Sequence, residues 1–484
     1  MTRASAVRRV AFIILTVGIV LRIILWLQNR NLIIDEVNVV RNITERNYAQ
    51  LLQPLNYDQY APFPYLWIVK SLSLFFGFDE LPMRFPSLLF GVASLFLFYK
   101  LLQKLLKPEY ISYPLIYLAV SFTFVLYSAS VKQYSGDLFF GLLLCYYAVV
   151  VPAPTSVSQH LKLLGTGIIS VLCSMPALII FPAVMISLLF KYPQHRKPLL
   201  LTGSVWLVFG GMYYLFVLSP LVHQSNLQHA HAEYFLHLLP RNLSEWEHNY
   251  HAFFTLLDAP TGYTLLANIF HLALLILGIR ELRKFNPPLL ALFVVPVLTT
   301  LLLAALHRYS LAQRLLQFLF PFVLVLIGFG LQGLFRFRMA YPRATLITLL
   351  SIMGVCIFNQ LPLHLFSQKY EVHSITDGLD FIQQQGIQPQ QVYLYHSNND
   401  SYLYYTEIHS GRKKYESLKG MNPTRWNLSY DQIAVQPKDT AYLLSTGNIS
   451  PYDQEKISRE LNSKFQVTTT FQNPYAAVMA FTPK

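Results

Sequence analysis

Charge is what this sequence has least of: Asp, Glu, Lys and Arg make up 13% of its 484 residues, against about 25% in an ordinary soluble domain. A water-facing surface needs that charge, so a soluble multidomain enzyme is excluded, as is a disordered chain, which would be polar throughout. Cysteine is nearly absent too. The three thiols, Cys145, Cys173 and Cys356, lie inside apolar runs, which excludes a disulfide scaffold and any C-x-x-C motif. The tail after Leu361 has no glycine-rich nucleotide-binding pattern, and the chain shows no internal repeat of the kind many transporters carry. What fills the chain is apolar: 54% of residues are hydrophobic, 31 are Tyr and 35 are Phe, and mean hydropathy is +0.39. Aromatics in that number suit a bilayer boundary. The composition is that of a polytopic membrane protein.

Eleven apolar runs are expected to cross the membrane: 10–27, 85–102, 113–127, 138–151, 161–174, 176–190, 199–218, 263–279, 288–306, 315–334 and 344–360. Residues 161–190 read either as two short spans or as one kinked span. The formal net charge of +13 is explained by the loops on one side. Six of them hold sixteen basic residues, from Arg3, Arg8 and Arg9 through Arg336, Arg338 and Arg343, against only Glu109 and Glu281. That is a positive-inside signature, and it leaves no basic surface for nucleic acid. An odd number of spans keeps all these loops on one face, so the N-terminus is expected inside and the C-terminus outside, in the inner (plasma) membrane. No small-residue cleavage site follows the first span, which reads as an anchor rather than a signal peptide.

Three outer stretches are longer than connections need to be: 31–84, 219–262 and everything after Leu361. In the first, Val37, Val40, Ile43 and Leu51 fall near helical spacing, which fits a helix lying flat on the membrane. The corner Ala61-Pro62-Phe63-Pro64 then precedes a second apolar stretch, 65–76. The tail returns to soluble composition. Residues 392–395, 442–444, 465–471 and 476–481 read as strands, and 452–461 as a helix. The expected architecture is therefore mainly α, a transmembrane bundle over 1–362 with long outer loops, followed by a small extracytoplasmic α/β domain over 363–484.

Charged groups in or at the edge of spans cost roughly 2.5–3.5 kcal/mol on insertion scales, so each needs a reason. Those on the outer side are Arg22, the pair Asp35-Glu36, Arg84, Lys132 with Asp137, and Arg308 with Arg314. Mutual salt-bridging would explain any one of them; their recurrence in one leaflet from distant segments suggests a shared polar cavity. A carboxylate such as Asp35 can serve as general base toward a hydroxyl. Cations such as Lys132, Arg308 and Arg314 suit a phosphate leaving group at headgroup depth.

These residues occur in an order that resembles a known family. The text is Arg22; Ile34-Asp35-Glu36; Ala61-Pro62-Phe63-Pro64-Tyr65; Met83-Arg84-Phe85-Pro86-Ser87 with Gly91; the run from Ser128 to Asp137; and the segment from Arg314 to Pro321. It is similar to the GT-C-type glycosyltransferases, and within them to the bacterial group related to the dolichyl-phosphate-mannose–protein mannosyltransferases and the lipid A aminoarabinose transferases. The likeness is dense over roughly the first 140 residues and collinear to about residue 335.

The resemblance implies an inverting glycosyltransferase that takes a sugar from a polyprenyl-phosphate donor to a lipid, glycan or protein acceptor on the outer face. It implies that Asp35 and Glu36 are the catalytic acids. The family's basic phosphate contacts then map to Lys132 and Arg314; Tyr134, Asp137, Arg308 and Arg84 are further candidates for substrate binding, with a structural role as the alternative for Arg84. One departure is Lys132-Gln133-Tyr134, where many relatives are Arg-rich. Some relatives use a divalent cation, which stays open here; no metal ligand is assigned. A non-catalytic transporter or flippase for a lipid-linked substrate is the alternative, although the costly polar residues gather at one face only.

Two weaker signals remain. Seven of the fourteen histidines lie between His223 and His271, including His229-Ala230-His231, which is more often solvated than chelating. Asn42, Asn242, Asn427 and Asn448 open N-x-S/T sequons on outer segments.

Overall fold

The computed structural model describes residues 3–484 except 154, 220–230, 262–263, 337–342, 367–368, 426, 434, 436–438, 448 and 450. The helices of the first three quarters are α1 (Arg3–Leu27), α2 (Ile34–Glu45), α3 (Phe63–Phe76), α4 (Glu80–Leu105), α5 (Pro108–Val120), α6 (Phe122–Tyr127), α7 (Tyr134–Val150) and α8 (Val157–Cys173). They continue as α9 (Ala177–Lys191), α10 (Arg196–Tyr213), α11 (Leu243–Thr261), α12 (Leu265–Phe285), α13 (Pro287–Ala305), α14 (Phe320–Arg336) and α15 (Arg343–Phe358).

Among the described residues, five helices are long and apolar enough to cross a membrane: Val7–Leu27, Glu80–Leu105, Pro193–Val217, Leu265–Phe285 and Pro287–Ala305. Shorter apolar helices, such as Tyr134–Val150 and Phe320–Arg336, add to them. This is a multi-pass membrane protein. The segment 161–190 is two helices, because Pro176 lacks a backbone N–H and biases Met175 away from helical geometry, separating α8 from α9. All three cysteines are free.

Two compact units make up the chain. The first comprises Met1–Trp26, Leu52–Leu66 and Arg84–Leu365. Within it the run expected as one span over 113–127 is broken at Ser121 into α5 and α6. Arg22, fully buried, supplies the reason. Its Nη2 donates to Leu118 O at 2.8 Å and its Nη1 to Ala119 O at 2.9 Å. In an unbroken helix those carbonyls would accept from residues 122 and 123. The guanidinium also reaches Gly18 O at 2.9 Å and Ser128 Oγ at 3.1 Å. A cation at a helix C-terminus is electrostatically favoured, so the costly charge in the first span is the cap of α5.

The same helix is tied to α12 by a buried polar chain. Tyr117 OH donates to Tyr113 OH at 3.0 Å, and Tyr113 lies 2.9 Å from His271 Nε2. His271 Nδ1 is 2.7 Å from Ala267 O, and a carbonyl only accepts. The ring proton is therefore on Nδ1, and Nε2 is the acceptor. Helices α12 and α14 meet backbone to backbone. A Cβ at Gly278 would come within 1.8 Å of Leu326 O, and one at Gly330 within 1.9 Å of Leu274 O.

The second unit comprises Leu27–Leu51, Trp67–Met83 and Phe366–Lys484. Its tail carries α16 (Ile375–Gln384), β1 (Val392–Leu394), α17 (Asn399–Leu403), β2 (Asn422–Pro423), β3 (Ala441–Thr446), α18 (Pro451–Lys464), β4 (Phe465–Gln472) and β5 (Ala476–Pro483). The sheet order is β2-β1-β3-β5-β4. Strands β2, β1 and β3 run parallel, and β5 is antiparallel to both β3 and β4. The expected strands and helix are all present. Not expected from the sequence were β2, which is two residues long, α16 and the five-residue α17. Ile457 and Leu461 of α18 bury one face of the sheet with Leu443, Phe465 and Phe481. On α16, Phe381 stacks on Phe471 with centroids 4.9 Å apart.

The unit that holds the tail thus also takes in residues 27–51 and 67–83. Helix α2 lies within it, and protein receives its apolar face. Val37, Val39, Val40 and Ile43 are fully buried, against α17 and the turn Tyr404–Ile408 that follows it. An amphipathic helix has one apolar face whether a bilayer or a protein core receives it, and here a protein core does.

A cluster of ionisable groups closes this unit. His409 Nε2 lies 3.2 Å from Glu80 Oε2 and 3.1 Å from Asp79 Oδ1, and Tyr405 OH donates to Glu80 Oε1 at 2.6 Å. Burial pulls the imidazole pKa down, but the hydrogen bond and charge of Glu80, with Asp79, outweigh it and raise it above its ordinary value. A raised folded-state value means that the stabilisation is complete below the unfolded pKa, about 6.5, and fades as pH rises through the folded one. Melts of the full-length protein in detergent should therefore show Tm falling above pH 6.5. In His409→Gln that slope should be shallower; equal slopes for both proteins would refute the coupling.

Candidate functional site

The sequence-predicted site residues divide between the units. Asp35 and Glu36 belong to the second, in the first turn of α2. Ile33, the N-cap, has no side-chain acceptor. Glu36 makes the reciprocal half of a capping box, its Oε2 accepting from Ile33 N at 3.2 Å while Oε1 lies 4.0 Å from Arg30 Nη2. Glu36 is fully buried. Asp35, one residue earlier, is half-exposed at the end of the helix where the dipole favours a carboxylate. The chain leading into α2 is held as well. Asn31 N donates to Glu371 Oε1 at 3.0 Å, and Leu32 N to Tyr405 OH at 3.1 Å.

In the first unit, Lys132 lies between α6 and α7 and is buried. Its Nζ donates to Gln59 Oε1, and its carbonyl accepts from Ser87 Oγ at 3.0 Å. Ser87 in turn lies 3.1 Å from Tyr65 OH, so the Pro-rich corner and the start of α4 both support the lysine loop. Tyr134 opens α7, buried edge-on against Tyr127 at 5.0 Å. Asp137 sits one turn on, 5% exposed, with Oδ1 lacking a hydrogen-bond partner among the described residues.

Phenols surround that carboxylate. Tyr60 OH is 2.8 Å from Tyr213 OH. Burial, then Tyr213, then the charge of Asp137 push the Tyr60 phenol well above its ordinary pKa. Tyr309 is pushed the same way by burial, Asp137 and Tyr134. Its hydroxyl donates to Leu315 O at 2.7 Å, beside Arg314 in the turn Gln313–Leu316.

The structure therefore brings Lys132, Tyr134 and Asp137 together on one connection and the turn after it. Arg314 stands on a separate turn, Arg84 is buried in α4, and Arg308 is exposed just beyond α13. Gln59, Tyr60, Tyr213 and Tyr309 were missed. Tyrosine is common in this chain, and no periodicity marks these four; only adjacency to the Pro corner and to Arg308 hinted at two of them. An open groove of about 400 Å³, lined by His237, Leu238, Leu239, Arg241, Glu245, Ala305 and His307, contains none of the predicted residues. Of the histidine pair, His229 lies outside the described residues, as do His223 and the sequon residue Asn448, while His231 Nδ1 is 3.2 Å from Ser310 Oγ. Among the described residues no three His, Cys, Asp or Glu side chains stand together as a metal site, so no ligand set is assigned to a divalent cation.

No family model matches the sequence, and no curated protein does. The fold does have solved counterparts. It is similar to the crystal structure of ArnT from Cupriavidus metallidurans bound to undecaprenyl phosphate, with a TM-score of 0.54 and 12% identity over 99% of this chain and 98% of that one. It is also similar to the apo state of that protein, with a TM-score of 0.52 and 10% identity over 97% of each chain. At such identity the likeness is one of fold. The chain shares that fold over nearly its whole length.

Proposed function

We propose that this protein is an integral membrane glycosyltransferase that moves a sugar from a polyprenyl-phosphate donor to an acceptor hydroxyl on the extracytoplasmic face, with inversion. The observation that carries this reading is the end-to-end fold shared with a protein crystallised with undecaprenyl phosphate. The positive-inside charge pattern supports an inside N-terminus and an outside tail. In the proposed reaction Asp35 takes the proton of the acceptor hydroxyl. The oxygen attacks the anomeric carbon opposite the phosphate, and the carbon–oxygen bond to phosphate breaks, its electron pair leaving on the polyprenyl phosphate. Lys132 and Arg314 stabilise that leaving group, with Arg84 and Arg308 as further cationic contacts. Tyr134 and Asp137 are assigned to the sugar, as buried polar groups on the turn that follows Lys132.

The test is sugar transfer from a synthetic polyprenyl-phosphate donor by the purified full-length protein in detergent. Release of one polyprenyl phosphate per sugar transferred, with inverted anomeric configuration, is expected. Lys132→Ala should lower turnover by about 10²-fold or more, the cost of removing one transition-state donor. Transbilayer movement of intact donor in liposomes, without cleavage, would replace this reading with a flippase.

A further inference from the structure

Helix α2 is 12 residues long, about 18 Å at helical rise, and both of its ends are held by buried charged side chains. At the N-terminus Glu36 closes the first turn through Ile33 N. At the C-terminus Lys70, from α3, donates through Nζ to Ile43 O at 2.6 Å and to Arg46 O at 2.8 Å. Lys70 is 9% exposed, and no carboxylate pairs with it among the described residues. A buried ammonium without a counter-ion is expensive. Its compensation here is the set of carbonyls that a helix end leaves without partners, together with the negative end of the helix dipole. Asp35 rides on the first turn of the element so clamped.

We propose that Glu36 and Lys70 are positioning residues, which fix α2 so that the Asp35 carboxylate is presented in one orientation. Glu36 is then not a second catalytic acid. This inference rests on the reading of Asp35 as the base. Glu36 is buried, with one oxygen committed to a backbone N–H, whereas Asp35 is half-exposed. The two adjacent acids point in different directions from one turn, as side chains at i and i+1 must. Loss of Glu36 lets the first turn fray, loss of Lys70 frees the far end so that the helix can shift as a whole, and displacement of a reacting group by about 1 Å costs on the order of 10²-fold in rate.

Full-length variants are compared in the transfer assay, with kcat and the donor KM measured separately. Glu36→Gln keeps an oxygen that can accept from Ile33 N, so it should retain most of kcat. Glu36→Ala should lose about ten- to a hundred-fold in kcat with KM unchanged. Lys70→Met should behave like Glu36→Ala, while Lys70→Arg, which still donates to two carbonyls, should restore turnover. If Lys70→Met does not assemble, Lys70→Gln, which keeps N–H donors on a shorter, uncharged side chain, should give an intermediate kcat. A Glu36→Gln variant as inactive as Asp35→Asn would place Glu36 in the chemistry and overturn the assignment. Wild-type kcat in both Glu36→Ala and the Lys70 variant would overturn the clamp. An active Asp35→Asn enzyme is a separate failure, that of the base itself.

Discussion

Asp35→Asn should abolish most sugar transfer and leave the protein otherwise intact. General-base assistance contributes about 10²–10⁴-fold, and Asn keeps the shape while losing the basic oxygen. The substitution touches a half-exposed position in the first turn of α2, where a carboxylate contributes about 0.3–1 kcal/mol through the helix dipole. That is small against total stability, so expression, melting and donor binding should hardly change. The measurement is turnover from the polyprenyl-phosphate donor beside a melting curve for each protein. A normally folded Asp35→Asn enzyme that keeps more than about a tenth of wild-type activity would fall outside the range for a general base. The role would then have to pass to another group.

The second large effect is on assembly. Gly278 and Gly330 let α12 and α14 approach until each glycine faces the other helix's backbone, with Leu326 O and Leu274 O in the space a Cβ would occupy. Small residues at such contacts allow packing that bulk cannot replace in a membrane, where lipid offers apolar side chains the same environment as a neighbouring helix. A flexible side chain could retreat from an intruding methyl group; a carbonyl in the middle of a helix cannot. Overpacking usually costs about 1–3 kcal/mol. Here the whole helix pair must separate, and α14 is buried from Phe320 through Leu331. Gly330→Val should therefore yield little or no monodisperse protein in size-exclusion profiles of detergent extracts. Gly354, in α15, has nothing within 4 Å of its would-be Cβ; Gly354→Val should extract like wild type. A normal peak for Gly330→Val would mean the contact is looser than described.

Several features were legible from residue order because their physics is local. The apolar runs, the alternating strands of the tail and the amphipathic spacing of Val37, Val40 and Ile43 each report on a neighbourhood of a few residues. What receives an apolar face is not local. The spacing in α2 suits a bilayer as well as it suits the core it meets. Arg22 illustrates the same limit for charge. Its presence in a span announced that something must compensate it, but the carbonyls of Leu118 and Ala119 are nearly a hundred positions away, and no pattern in either segment points to the other. At the candidate site, Lys132 and Asp137 stood out because charge is rare in this chain. Tyr60, Tyr213 and Tyr309 did not, because tyrosine is abundant in it.

Arg22 also has a consequence for biogenesis. The first span leaves the ribosome about a hundred residues before the carbonyls that its guanidinium will bind. While it waits, the arginine must be carried by the hydropathy of its own helix, at roughly 2.5–3.5 kcal/mol near the centre of a span. The window that contains it has a mean hydropathy of 2.7, the highest of the five span-length helices. That surplus of Ile, Leu and Val is what allows the nascent chain to commit its first helix to the bilayer early and to satisfy the charge late, when α5 arrives and ends against it.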